Sequence, residues 1–292
     1  MGLRLKFNLV LTIVFLAGLM LAGVFFNNTL QKNAREEVHN TANLMLASAL
    51  AVREYTVKEI RPLLAVQMQH EFLPQTVPAY GATTNITKLR AQYPDYSYKE
   101  AALNPTNPVN RATDWEADVI AWFQDHPDEK EFVGERQSPT GPSLFISRPI
   151  LIKQPGCLGC HGDSSSAPKT LLAKYGSSNG FGWKLNEIIG SQIVSVPMSV
   201  PLKRAESALV VFMGSLVGVF LIIAIVLNIL LHNIVIKPVR AMALVANHVS
   251  MGKRAPEFKT SGKDEIASLA TSFNRMRRSL SKAMKMLDDS QR

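Results

Sequence analysis

The sequence predicts an α+β membrane protein. Two transmembrane helices flank a domain made of a long helix and an antiparallel sheet, and a helical bundle follows on the other side of the membrane. Three observations predict it. Two long apolar runs carry no charge. The segment between them starts with helical periodicity and ends in β-rich stretches. The last sixty or so residues hold two amphipathic helices with a heptad seam. Of the 292 residues, 47% are hydrophobic and 19% charged, too apolar for disorder. The net charge of +9 is unevenly placed. Residues 27–207 hold 18 Lys+Arg against 18 Asp+Glu, and residues 232–292 hold 12 against 5. The excess therefore sits beside the apolar runs, the bias of a membrane protein rather than of a nucleic-acid binder. Two cysteines exclude a framework of several disulfides.

The first span is assigned to 7–27, since no charge falls between Lys6 and Lys32. The second is assigned to 207–236, an uncharged run from Ser207 to Ile236. At 1.5 Å per residue either crosses a hydrocarbon core of roughly 30 Å. A cleaved signal peptide is the alternative for the first run, but its apolar part is long and no A-x-A site precedes Asn27. Arg4, Lys6, Lys237, Arg240, Lys253 and Arg254 put both termini in the cytoplasm, with Lys203 and Arg204 weighing slightly against. The expected location is the bacterial inner membrane, with residues 28–206 facing the periplasm.

In that outer domain, Ala34, Val38, Ala42, Met45, Ala49 and Val52 recur at helical spacing. They predict a long helix continuing out of the first span and ending at Phe72-Leu73-Pro74. A short helix is expected over 83–92, then loops dense in Asn and Pro. Asp114 is the expected cap of a helix over Trp115–Asp125. Phe132–Gln137, Ser143–Ile152 and Gly190–Val196 read as strands, with a loop inserted before the last.

That loop contains Cys157-Leu158-Gly159-Cys160-His161. C-x-x-C-H is the attachment pattern of c-type haem. Two thiols three residues apart reach the two vinyl groups, and the adjacent imidazole becomes the proximal iron ligand. A thioredoxin-like pair needs a βαβ context, a structural zinc needs four ligands, and a plain disulfide has no use for His161. One covalent haem c on Cys157, Cys160 and His161 is the expectation. The sixth ligand stays open among His39, His70, His126, Met45, Met68 and Met198. Met45 is placed first, because periodicity turns it inward on a helix that leads to the membrane, and His70 next. An open site would suit a gas. Arg53, Arg61, Arg148 and Lys153 are candidate partners for propionates. No nucleophile–base pair, phosphate loop or carboxylate dyad is legible, so no enzymatic activity is expected.

Beyond the second span, Val235, Val239, Met242, Ala246 and Val249 are spaced 4, 3, 4, 3, before a break at Gly252 and Pro256. Ile266, Leu269, Phe273, Met276 and Leu280 are spaced 3, 4, 3, 4. Two short helices with such seams cannot cover them alone, whereas two copies can form a four-helix bundle. Residues 237–284 resemble a HAMP domain, carried by Lys237-Pro238 and by the run Asp264-Glu265-Ile266-Ala267-Ser268-Leu269-Ala270-Thr271-Ser272-Phe273-Asn274-Arg275-Met276. The resemblance implies signal relay within a homodimer, with 285–292 as a tail.

The outer domain resembles the PAS-like haem c sensor domain of cyanobacteria and proteobacteria, often fused to HAMP and a histidine kinase. The residues that carry the likeness are Arg53-Glu54-Tyr55-Thr56, Tyr93-Pro94-Asp95-Tyr96, Leu103-Asn104-Pro105-Thr106-Asn107-Pro108, Trp115-Glu116, Pro155-Gly156 with the C-x-x-C-H run and Gly162, Tyr175-Gly176 and Gly180-Phe181-Gly182-Trp183. The likeness spans about 40–200 and implies one haem on a PAS-like sheet. The expected function is a membrane sensor in which haem c reports redox state or a diatomic gas and HAMP relays the change. The output module, a histidine kinase or another cytoplasmic protein, is expected on a separate chain, since no such module follows the seam before Arg292. A membrane-anchored cytochrome for electron transfer is the alternative. Haem-free ligand binding, with the cysteines as a disulfide, is a third reading.

Overall fold

The computed structural model describes residues 2–139, 141–251, 256–258 and 262–290. The chain divides into two compact units. One is Phe25–Leu209; the other comprises the chain up to Val24 and from Val210 onward.

Helix α1 (Leu3–Tyr55) contains the first apolar run and continues into the sensor unit. There Ala34, Val38, Ala42, Met45, Leu46 and Ala49 form its buried stripe. The helix runs on through a π-turn, Thr56–Ile60, into the single turn α2 (Arg61–Leu63). It therefore stops short of the predicted Phe72-Leu73-Pro74. Pro62 has no N–H to continue the ladder, and the chain turns away in 3₁₀ pieces. Helix α3 (Pro78–Leu89) begins earlier than the expected 83, because Pro78 supplies a preset φ at its first turn. Helix α4 (Asp114–Asp125) lies where it was expected, but its cap is Thr113 rather than Asp114. Thr113 and Glu116 form a reciprocal capping box, the Glu116 carboxylate accepting from the Thr113 N–H at 2.8 Å.

The sheet is four-stranded and antiparallel, in the order β1-β4-β3-β2. Its strands are β1 (Ser97–Ala102), β2 (Phe132–Ser138), β3 (Gly141–Leu151) and β4 (Ile188–Pro197). Alternation along the strands feeds two cores. Tyr98, Leu144, Ile146, Val194 and Val196 pack with the α1 stripe and with Ala82 and Ile86 of α3. Ala101, Phe145 and Ile193 pack on the other face against Val119, Ile120 and Phe123 of α4. Strand β1 was not predicted. It places two charges mid-strand, Glu100 buried and Lys99 half-buried, and each has a partner. Glu100 faces α1, where it accepts from Arg53 and, at 2.8 Å, from the Tyr98 hydroxyl. Lys99 faces α4 and donates to Glu116 at 2.6 Å.

The motif loop leaves β3 and returns to β4. Its base is stapled by Ile152 N donating to Glu187 O at 3.0 Å and Asn186 N donating to Ile152 O at 2.8 Å. It contains α5 (Leu158–His161) and α6 (Lys169–Tyr175).

Helix α7 (Ser199–Leu230) passes through a second π-turn, Leu231–Ile236, into α8 (Lys237–Ser250); α9 (Glu265–Ser290) follows. The helical stretches Leu3–Leu63 and Ser199–Ser250 are both long and apolar enough to cross a membrane. In the second unit the apolar helices meet through a stacked Phe15–Phe220 pair, 3.7 Å between centroids. Asp264 caps α9, accepting from Ala267 N at 2.8 Å. The buried Asn274 pins the connector by donating to Phe258 O and accepting from Phe258 N. Met242 of α8 and Ala267 and Ala270 of α9 are buried. Leu269, Met276 and Leu280 of the heptad seam stay 51%, 66% and 42% exposed. Pro256 lies in the non-helical connector, while Gly252 of the expected break lies outside the described residues.

Candidate functional site

The short helix α5 brings the motif together. Cys157 caps it and Cys160 and His161 lie in its single turn, so the two thiols and the imidazole share one small surface. Both thiols are unpaired and half-buried. They face different apolar neighbourhoods. Cys157, Leu158 and Trp183 pack against Ala102, Ile152 and Ile189. Cys160 packs with Phe72, Ala167, Leu171 and Phe181. Burial pushes the Cys160 thiol up, while the Arg61 charge pulls the other way.

The His161 ring has three contacts: the Gly180 carbonyl, the Trp183 ring and, 3.4 Å from Nδ1, the Thr106 hydroxyl. Its Nδ1 lies 2.8 Å from the Gly180 carbonyl oxygen, which makes Nδ1 the donor and leaves Nε2 as the basic nitrogen. Trp183 stacks on the ring, 4.0 Å between centroids and 13° between planes. The loop carrying Trp183 is pinned to the motif through Trp183 N to His161 O at 3.1 Å and Gly182 N to Gly162 O at 2.8 Å. Burial pushes the imidazole pKa down, against the opposing hydrogen bond to Gly180, which favours the neutral form that binds metals. Only glycine fits at 180. Its φ is +82°, and a Cβ would lie 2.0 Å from Thr106 Oγ1. Asn104 Oδ1 accepts from Gly180 N at 3.2 Å. The Asn104-Pro105-Thr106 loop after β1 thus fixes the carbonyl that fixes His161.

The other predicted residues separate. Met45 is buried in the α1–sheet core, in a cluster that contains no residue of the motif. The periodicity that turned it inward is packing periodicity. Met198 lies in the same core. His70 is exposed in the turn after the 3₁₀ piece Gln67–Gln69, two residues before Phe72, which packs with Cys160. Met68 on that piece is half-buried. His39 lies against Asn43 and Glu131, and His126 stacks on Trp122. Of the candidate cations, Arg148 is held by Glu131 at 2.8 Å. Arg53 is held by Glu100: burial works against its charge, but the carboxylate outweighs it and keeps the guanidinium above its ordinary value. Arg61 and Lys153 form no ion pair among the described residues. Sequence reasoning missed Gly180, Thr106 and Trp183 as the support of His161; they entered it only as parts of a family likeness. The nearest signal was the pair of glycines flanking Phe181. Among the described residues no group of three or more His, Cys, Asp and Glu could hold a metal ion. The site therefore offers one nitrogen ligand and two thiols for covalent attachment rather than a cage.

A Tll0287-like family model matches residues 31–197, more than half of the chain, and a HAMP domain model matches residues 230–282. Among solved structures, the crystal structure of the cyanobacterial heme-protein Tll0287 is similar over 52% of this chain and 94% of that chain, at 17% identity and a TM-score of 0.39. No curated protein matches the chain. The first match takes in the motif loop and all four strands, and the second takes in α8 and the start of α9, so the chain belongs to the Tll0287-like family and carries a HAMP domain behind its second apolar helix.

Proposed function

We propose that this protein is a signal-transduction sensor of the bacterial inner membrane, with a covalent haem c on its periplasmic unit and a cytoplasmic HAMP dimer as its relay. The observation that carries the reading is the orientation of His161. Within a C-x-x-C-H motif, its Nδ1 is tied to a backbone carbonyl and its Nε2 is left to bind iron. The donor set fits the group: Cys157 and Cys160 for thioethers, a neutral His161 as proximal ligand, and apolar clusters beside both thiols. When bound, haem c supplies a one-electron Fe(III)/Fe(II) couple and an iron position for a small gas. If a second side chain were to bind the iron, His70 would be better placed than Met45, because it lies two residues from Phe72, which packs with Cys160. Arg61 and Lys153 are the candidate cations left for a propionate.

The chain's own residues connect this site to the membrane. Arg53 of α1 is locked to Glu100 of β1, while the π-turn Thr56–Ile60 and Arg61 continue the same helix toward Cys160. Single-turn π segments recur at functional sites because they re-aim side chains without ending the helix. A change at the motif biases two states only if it favours one of them. The HAMP pair, with its seam uncovered within one chain, is the bistable element. A cytoplasmic output protein, a histidine kinase or another, reads the end of α9.

The test is chemical. After denaturing electrophoresis of the full chain, haem stain should stay on the protein band, and acid acetone should extract no colour. Colour that leaves with the solvent refutes covalent attachment.

A further inference from the structure

The apolar helices carry a second polar constellation at one end. Arg4 and Asn8 lie one turn apart on α1; Asn228 of α7 and His232 of the following π-turn lie one turn apart opposite them. Asn8 Nδ2 donates to Asn228 Oδ1 at 3.1 Å, and Asn228 Nδ2 donates back to Asn8 Oδ1 at 2.8 Å. Asn228 also donates to Ala224 O at 2.9 Å, so this pair is satisfied within the protein. Beside this pair, with Asn228 and Ala224 in its lining, a cleft of about 460 Å³ opens. Arg4, His232 and Asn233 form its polar end, and Leu221, Ile225 and Ile229 line its wall.

Two features there have no partner among the described residues. Arg4 forms no ion pair among the described residues, and His232 Nδ1 is buried without a hydrogen-bond partner. An uncompensated cation at the end of a membrane helix and an orphaned ring nitrogen, both beside an apolar wall, match an amphiphile with an anionic head. No Asp or Glu lines the cleft to receive a second, cationic head group.

We propose that this cleft binds one anionic phospholipid, with its phosphate at Arg4 and His232 and an acyl chain along Leu221, Ile225 and Ile229. The apolar wall selects a lipid over a soluble phosphate. The inference rests on the two helices crossing a membrane and is independent of the haem. The cleft lies directly ahead of Lys237-Pro238, so its occupant grips the π-turn from which α8 starts.

Native mass spectrometry of the full chain in mild detergent tests it, with dioleoyl-phosphatidylglycerol or dioleoyl-phosphatidylcholine added. One phosphatidylglycerol per chain should be retained, and phosphatidylcholine should not. Arg4→Gln should lower retention about fivefold, the effect of one basic residue at an anionic lipid surface. Lys6→Gln removes the same charge from outside the cleft lining and should leave retention unchanged. His232→Ala and Ile225→Trp, which reach the head and the wall separately, should each reduce it. Glycerol 3-phosphate should not displace the lipid. Equal retention of both lipids, equal retention by wild type and Arg4→Gln, equal loss in Lys6→Gln, or displacement by glycerol 3-phosphate would each overturn the proposal. If Arg4→Gln does not accumulate, unchanged retention by His232→Ala and Ile225→Trp overturns it as well.

Discussion

The two units close their surfaces in opposite ways. In the sensor unit the α1 stripe is covered by the sheet, and the mid-strand charges of β1, Glu100 and Lys99, are paired with Arg53 and Glu116. Helices α8 and α9 bury a strip at Met242, Ala267 and Ala270 yet leave Leu269, Met276 and Leu280 uncovered. The first unit has its apolar stripe covered from within; the second leaves seam residues uncovered, and under the proposed function a second copy covers them. A relay gains from that arrangement, because an interface between copies can have two packings of similar energy while a closed core has one.

The largest effect expected is at the motif. Cys157→Ala with Cys160→Ala should abolish retained haem on a denaturing gel while leaving the far-ultraviolet circular dichroism of the full chain unchanged. Breaking the sensor's self-sufficiency comes next. Glu100→Gln leaves the half-buried Arg53 guanidinium without its counter-charge and should cost about 2 kcal/mol in chemical denaturation of the full chain. Thr113→Ala removes one arm of the α4 capping box and should cost about 1 kcal/mol by the same measurement. The smallest effect on the sensor sharpens the comparison most. Leu269→Glu on the exposed seam should change sensor stability by no more than about 0.5 kcal/mol, yet abolish cross-linking of the cytoplasmic helices. A Leu269→Glu variant that destabilises the sensor unit would break the contrast.

Much of this was legible because it rests on pattern. The two apolar runs, the stripe Ala34–Ala49, three of the four strands and the heptad seam are periodic, and C-x-x-C-H is a fixed spacing. What stayed hidden depends on partners distant in sequence. Strand β1 reads as a loop because Lys99 and Glu100 interrupt it, and only Arg53 and Glu116 make those charges tolerable inside. Thr113 lost to Asp114 as the expected cap because the reciprocal bond from Glu116 decides between them. Met45 shows the limit of periodicity: it told which way the side chain points, and the sheet rather than the motif lies there. The support of His161 by Gly180 and Thr106 joins segments far apart in the chain, so no local signal carries it. The Asn8–Asn228 pair inside two apolar runs was visible as two polar residues but not as one contact.

The most direct test is cross-linking of Leu269→Cys in membranes, with a bis-maleimide insensitive to redox, and with the haem held oxidised or reduced. In haem-loaded protein Cys157 and Cys160 are consumed as thioethers, so the new thiol is the reactive one. A coupling of about 1–3 kcal/mol between site and bundle predicts cross-linking in both conditions with yields that differ severalfold. No cross-linking in either condition would contradict the dimer. Equal yields in both would contradict the relay and favour an anchored electron carrier.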